Sequence, residues 1–523
     1  MVTRNCEEAL RRLTKGKLSR SIWVDAICIN QFDVAEKTAQ VQLMGEIYRN
    51  ASAVRVWLGP ETQYSDAAMN ALKGLATSRL IALAPGPFKQ SRLSAFSKVV
   101  HGLINKDRES AQTLPFGLLA EVFRSPWFRR MWVVQEVVMP NASKVMFYKG
   151  ERMIHFTNLR SAVDWKDVPN LTHVQSPWSS YLGYLDGLRE FIATKDAGKH
   201  LPPQLTKLLV IAMLKDAGNP KDKVLALYGI AKHLGWPLPV PDYSKSVAEI
   251  YTEAARAAIQ FDQSLDLLGF AHGVRPSEDL PSWVPDFSTM TLGNQSILVS
   301  GRYRAAANSV SRFSFSLSGY QLTVSGQFID TIDARSSTLK WDISKTFLGG
   351  DAEPPVQMAL EGLATIFEWV DFAQQLPATI HGVPRDQAIA QTIFKGSTRP
   401  RDTAVEKQAY EQYAAHAYNR LLALRSSAYG PSADMRAMAE LADEVVPFNA
   451  NTTFVVTGSE RVGTAPADVE PGDIVVLMTG KDAPAILRQS GDNFLLVGFA
   501  YVHGVMDGRL WDGEGALEQY TLV

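Results

Sequence analysis

IWVDAICINQFDVAEKTAQVQLMGEIYRNASAVRVWLG, Ile22 to Gly59, reads as an apolar strand, a polar loop, an amphipathic helix and a second apolar strand in immediate succession. Ile22, Trp23 and Val24 predict a short buried strand, and Val54, Val56, Trp57 and Leu58 a second, because β-branched and aromatic side chains suit a pleated, half-buried surface. Between them Asp33 caps a helix with Glu36 three residues on. Val41, Met44, Ile47, Tyr48 and Ala51 then fall on one face at helical spacing. Two strands joined through a helix pair in parallel by a right-handed crossover. The loop Asp25 to Gln31 is therefore expected at the carboxyl edge of the first strand, where open parallel sheets bind their ligands.

The rest of the composition narrows the function classes. At 523 residues the chain is long enough for two or three domains of roughly 100–200 residues each. Fifty-three basic and 54 acidic residues leave a net charge of -1, with no run of like charge to track phosphates or an anionic lipid surface. Nucleic acid and membrane are thus not expected partners. Cys6 and Cys28 are the only cysteines, which excludes a disulfide framework and a cysteine-rich zinc site and suits a reducing compartment. The N-terminal MVTRNCEEALRRL is charged, and the apolar stretch Leu208 to Leu214 is far short of the ~20 residues that span a bilayer. These features predict a soluble cytoplasmic protein.

Downstream, Asp66 to Leu80 predicts a helix, Pro85 to Arg108 a variable connection, and Phe116 to Phe123 a further helix. RSPWFRRMWVVQEVVMP, Arg124 to Pro140, is followed by the strand candidate Lys144 to Tyr148. Tyr303 to Ala334 alternates as strands do, Glu406 to Glu444 has helical periodicity, and Gly472 to Gly508 breaks into short apolar strands divided by Gly, Asp and Pro turns. A helical hairpin separating two β segments follows, with a small twisted sheet or partial barrel at the end.

The opening pattern Trp23, Asp25, Cys28, Ile29, Asn30, Gln31, Asp33, Glu36, Gln40, Met44, Ile47, Tyr48, Ala51, Trp57, Leu58 and Gly59 closely resembles the first motif of the fungal heterokaryon incompatibility (HET) domain family. Similar blocks recur at Arg124–Pro140, Asn219–Ile230, Pro241–Tyr251, Leu280–Ser288 and in the tail, so the resemblance spans most of the chain. It implies an α/β fold, a doubly wound parallel sheet like that of Toll/interleukin-1 receptor (TIR) domains. HET domains normally begin with a strand ahead of the helix that corresponds to Thr3–Leu13, and Met1 falls after that point. The expectation is therefore a TIR-like sheet with its first strand missing, the slot filled from elsewhere or the sheet rearranged. The implied organisation is a HET domain over 1–150, a mainly helical region over 151–300, and a mixed region over 301–523 with a helical hairpin and a C-terminal β sheet or partial barrel.

Glu136 is the leading catalytic candidate. Trp132 and Glu136 lie on one helical face, and the W-x-x-x-E spacing resembles the catalytic-glutamate motif of TIR domains that cleave NAD. A carboxylate suits that chemistry because breaking the nicotinamide–ribose bond develops oxocarbenium character. The competing role for Glu136 is to pair with Arg124, Arg129 or Arg130 and anchor the helix. Asp25, Asn30 and Gln31, with Trp132, are candidates to hold a ribose, an amide or a planar ring; their other role is to hydrogen-bond the loop and fill the core. Cys28 is expected as a buried, inert thiol, Asp222 or Asn219 as a helix cap, and His503 as a turn histidine. No nucleophile elbow, phosphate loop, zinc helix or dinucleotide fingerprint occurs, and nine scattered histidines show no metal-ligand spacing. No metal and no required cofactor are expected, with NAD entering as a substrate. Three functions follow: nonself recognition and cell death through NAD cleavage; the same role through self-association or a HET partner protein without catalysis; or a HET scaffold recruited to small-molecule biosynthesis.

Overall fold

The computed structural model describes residues 3–15, 21–84, 89–95, 97–98, 119, 121–164, 177–271, 279–289, 303–341, 356–395, 404–427 and 434–523. They divide into two compact units, one within Met1–Ser246 and one within Val247–Thr346 and Glu353–Val523. Among the described residues no helix is long and apolar enough to cross a membrane.

In the first unit, helices α1 (Arg4–Thr14), α2 (Asp25–Cys28) and α3 (Val34–Asn50) precede strand β1 (Val54–Trp57) and helix α4 (Ser65–Leu83). Asp33 starts α3 as its spacing predicts, its carboxylate accepting from the amides of Ala35 and Glu36, and Val41 and Met44 are buried on the inner face. After α5 (Val133–Val138), strands β2 (Val145–Lys149) and β3 (Arg152–His155) complete a three-stranded sheet in which β1 and β2 run parallel and β2 and β3 antiparallel. Helices α6 (Phe156–Val163), α7 (Pro177–Asp196), α8 (Leu205–Met213), α9 (Asp222–Leu225) and α10 (Tyr228–Leu234) follow. Phe147 of β2 is fully buried among Trp127, Phe128 and Phe156, with ring centroids 5.2–6.3 Å apart.

The expected doubly wound parallel sheet is not what the described residues form. Ile22–Val24 is extended at Val24 but joins no ladder, and its side chains are half-buried. The physical reason is local: the Val24 carbonyl accepts from the amides of Ile27 and Cys28, turning the chain directly into α2, and no described strand lies beside it. Trp23 instead packs edge-on against Tyr48 of α3, with centroids 5.7 Å apart. The loop expected at a strand edge is thus a helical turn, and the sheet has one parallel pair.

The second unit opens with helix α11 (Val247–Asp262), hairpin strand β4 (Phe313–Phe315) and the long strand β5 (Leu322–Leu339). Helices α12 (Val356–Ala373), α13 (Arg385–Ile393), α14 (Ala404–Ser427) and α15 (Met435–Val445), with the short β6 (Thr379–Ile380) and β7 (Val383–Pro384) between the first two, separate β5 from strands β8 (Thr452–Thr457), β9 (Val462–Pro466), β10 (Ile474–Met478), β11 (Ala485–Ser490), β12 (Asn493–Phe499), β13 (Tyr501–Val502) and β14 (Glu518–Leu522). The long helices α14 and α15 stand where Glu406–Glu444 predicts them. Order β10-β11-β12-β14-β5, with β10 pairing back onto β5, closes a barrel. Register shifts in β5 and β10 bend the strands enough for closure. Val475, Leu477, Ile486 and Val497 fill the interior, while Trp369, Leu363, Ile389 and Leu441 of the helices pack on Phe454 and Val456.

Candidate functional site

The segment carrying Trp132 and Glu136 is held by main-chain bonds rather than by a sheet. Pro126 opens a 3-10 turn, Pro126–Arg129, where its missing N–H leaves nothing unsatisfied. Met131 N–H donates to the Asp216 carbonyl at 2.8 Å, and Asp216 N–H to the Arg129 carbonyl at 2.6 Å. Lys215, almost fully buried, donates from Nζ to the Phe128 carbonyl at 2.5 Å, and burial holds its ammonium well below the usual lysine range. Lys223 ties the same turn from behind by donating to the Ala212 carbonyl at 3.0 Å and to the carbonyl of Lys215. Arg130 and Trp132 thereby face α2 and α3.

Between them lies a cleft of about 220 Å³ lined by Asp25, Ala26, Ile29, Gln31, Lys37, Val41, Met44, Arg130, Trp132 and Asp222. Its volume is below the roughly 300–1,000 Å³ of sites that swallow a drug-sized ligand. It can enclose one part of a dinucleotide, a ring or a sugar, with the remainder outside. One wall is a fixed network: Trp132 Nε1 donates to Asp222 Oδ2 at 3.1 Å, Tyr243 donates its hydroxyl to Asp222 Oδ1 at 2.5 Å, and Lys37 Nζ sits 4.3 Å from the Tyr243 ring centroid. Burial, and then the Asp222 carboxylate, push the Tyr243 phenol far above its ordinary range, so Tyr243 is a donor at any working pH.

Of the residues singled out from sequence, Asp25, Gln31 and Trp132 meet in this cleft. Asp25 Oδ1 accepts from the Ala26 amide at 2.8 Å, and Gln31 Nε2 donates to the Asp25 carbonyl at 3.2 Å, so both also shape the loop. Asn30 does not line it; its side-chain oxygen accepts from Phe32 N–H at 3.2 Å, and its own N–H donates to Glu36 Oε1 at 2.9 Å. Glu136 lies behind the wall. The Trp127 indole N–H donates to Glu136 Oε2 at 2.9 Å, and among the described residues no arginine forms an ion pair with Glu136; Arg129 pairs with Asp216 at 3.6 Å. Burial pushes the Glu136 carboxyl above the usual carboxylate range, with Asp25 adding to the rise and Arg130 and the Trp127 bond opposing it. The same two carboxylates, after burial itself, raise the phenol of Tyr48, placing Asp25, Tyr48, Arg130 and Glu136 in one electrostatic neighbourhood.

Other expectations shift. Trp127 belongs to the core and Trp132 to the cleft. Cys28 is exposed, because the turn of α2 points it outward, whereas Cys6 is partly buried. Asp222 does not cap α9; Lys221 occupies that position without a side-chain cap, and the Asn219 side chain receives the Lys221 amide at 3.1 Å. His503 follows β13 in a turn, and burial and then Arg461 push its imidazole down to about 4. Asp222, Lys37 and Arg130 are the cleft residues that sequence reading missed. The one signal was Lys37, a cation in the first turn of α3, where the helix dipole favours acids.

A family model for the heterokaryon incompatibility protein (HET) matches residues 1–136, taking in α1–α3, β1 and the Trp132–Glu136 segment, and a model for the Het-6 β-barrel domain matches residues 447–523. Residues 1–136 are thus similar to the HET domain, and the C-terminal residues to the Het-6 barrel. Heterokaryon incompatibility protein 6, OR allele, of Neurospora crassa is 25% identical over 608 aligned positions that cover all of this chain and 86% of that relative. No solved structure matches significantly. The HET match therefore covers every residue lining the cleft except Asp222, and the Het-6 barrel match falls on strands of the second unit.

Proposed function

We propose that this HET protein acts in nonself recognition leading to cell death, and that its HET domain cleaves NAD. The observation that carries the reading is a carboxyl raised by burial, Glu136, within electrostatic reach of Asp25 and next to a cleft walled by Trp132 and Gln31. Two carboxyl groups whose environments differ are the arrangement that sugar C–N and C–O cleavage uses. Trp132 would face the planar ring, Asp25 and Gln31 the ribose or the amide, and Glu136 the positive charge that grows at the anomeric carbon as nicotinamide leaves and water adds. Reaching that carbon requires Glu136 to exchange its Trp127 hydrogen bond for the substrate. The name of the Neurospora relative supports the role in incompatibility. The TIR-like reading of the domain rests on the parallel β1–β2 pair and the ligand-side position of α2.

A second reading, association without catalysis, is favoured by two observations. Glu136 is off the cleft wall, and Phe32, 98% exposed, stands with the exposed Ile27 and Val34 at the mouth of the α2–α3 turn. Incubating the purified chain with NAD and measuring free nicotinamide separates the two. Release that is abolished in Glu136→Gln supports cleavage, and release unchanged in that variant removes Glu136 from the chemistry. No release, together with concentration-dependent association lost in Phe32→Ser, supports the second reading.

A further inference from the structure

We infer that Lys37 and Arg130 form an anion-binding edge of the HET-domain cleft, so that the ligand it selects carries a phosphate or diphosphate group. The inference rests on the nucleotide reading above and deepens it by naming what recognises the charged part.

Two carboxylates and two cations line the cleft, which is formally balanced, yet their capacities are not equally free. Both oxygens of Asp222 are taken by Trp132 and Tyr243, and Asp25 accepts from Ala26. The acids nearest Lys37 in the chain are also engaged, Asp33 by the amides of Ala35 and Glu36, and Glu36 by the amide of Asn30. Lys37 and Arg130 form no ion pair with any described residue, and Arg130 is exposed at the rim. The donors left for a ligand are therefore the cations.

Lys37 is also placed with more care than a surface lysine needs. It lies in the first turn of a 17-residue helix, where its charge opposes the macrodipole and an acid would be preferred. It rests on the ring of Tyr243, whose hydroxyl is fixed by Asp222 and whose carbonyl accepts from Lys221 Nζ at 2.8 Å. A residue that breaks a local preference while resting on a ring that is itself anchored at a cleft is the pattern of a binding group. Two cations lining one cleft suit a tetrahedral phosphate dianion or a diphosphate, reached by charge-assisted hydrogen bonds. With Trp132 also lining the cleft, a base or a pyridine ring would stack inside while the phosphates remain at the mouth, which agrees with a cleft too small for a whole dinucleotide.

The test is calorimetric titration of the intact chain with ADP-ribose, adenosine and inorganic pyrophosphate. ADP-ribose should bind at least about tenfold tighter than adenosine and weaken as salt rises. Lys37→Gln and Arg130→Gln should each remove about tenfold from ADP-ribose affinity while leaving adenosine affinity and the unfolding midpoint unchanged, and Lys37→Arg should retain the preference. Pyrophosphate binding lost in either glutamine variant supports the anion edge even if no nicotinamide is released, in which case only the cleavage reading falls. Equal affinity for ADP-ribose and adenosine, a phosphate preference that survives in both glutamine variants, or no binding of either phosphate probe overturns the inference, whatever the NAD assay returns.

Discussion

Gly45→Ala should destabilise the first unit although it puts the best helix former into the middle of α3. A Cβ at Gly45 would stand 2.9 Å from the Cα of Gly229, 3.2 Å from its carbonyl carbon and 3.4 Å from its oxygen. These are backbone atoms of α10, which cannot swing aside as a side chain can. Restoring carbon contacts of about 3.5–4.0 Å requires the two helices to separate by roughly 0.6–1 Å. The substitution gains about 0.8–1 kcal/mol in helix propensity, but overpacking of this kind costs about 1–3 kcal/mol, leaving a net loss of up to about 2 kcal/mol. At roughly 2–4 °C per kcal/mol for a unit of this size, the melting midpoint should fall by up to about 8 °C. Gly229→Ala should act likewise, since its Cβ would meet Gly45 Cα at 2.9 Å and Gln135 Oε1 at 2.9 Å. Because one contact is at stake, the double variant should lose less than the sum of the singles. Thermal or urea unfolding followed by circular dichroism measures all three. A Gly45→Ala protein as stable as the parent, or more so, would mean that propensity wins and that the two helices do not approach this closely.

Other groups give independent checks. Asp222→Ala leaves the Trp132 and Tyr243 donors without their acceptor and should cost about 2–4 kcal/mol, read by chemical unfolding; Asp222→Asn, which keeps one acceptor oxygen, should cost less. Lys395 is buried, donates to Asn449 Oδ1, and is pushed down by burial to about 7. Its folded value is depressed, so the unfolded state binds the extra proton between pH 7 and the ordinary lysine range, and stability should rise with pH across that window; Lys395→Met should flatten the rise in unfolding midpoints between pH 7 and 9.5. His503, pushed down to about 4, is neutral when folded, so the unfolded chain gains a proton first as pH falls below ~6.5. Stability should decline from pH 6.5 to 4, and His503→Gln should lessen that decline in acid titration.

What the sequence determined was everything carried by short-range spacing. Asp33 and Glu36 begin α3 because the acceptors and amides they satisfy lie within a turn or two, and the period of Val41 and Met44 names the buried face before any partner is known. The runs 54–57 and 145–149 become β1 and β2 for the same reason, and the Gly and Asp turns after 472 divide the tail into the strands that form. The side-chain register of Ile22–Gly59 also carried the family. Tertiary structure alone decided which of these pieces meet. A strand exists only if a neighbour accepts its hydrogen bonds, so Ile22–Val24, with strand-like side chains, stays outside the sheet. The barrel depends on β10 meeting β5 across more than a hundred residues, a pairing no local pattern encodes. In the site, Asp222 reaches Trp132 from 90 residues away and turns from an expected cap into the anchor of the cleft wall, while Trp127 draws Glu136 behind it. Hydrogen-bond partners and burial are properties of the folded chain, and they set which of several carboxylates and cations are left for a ligand.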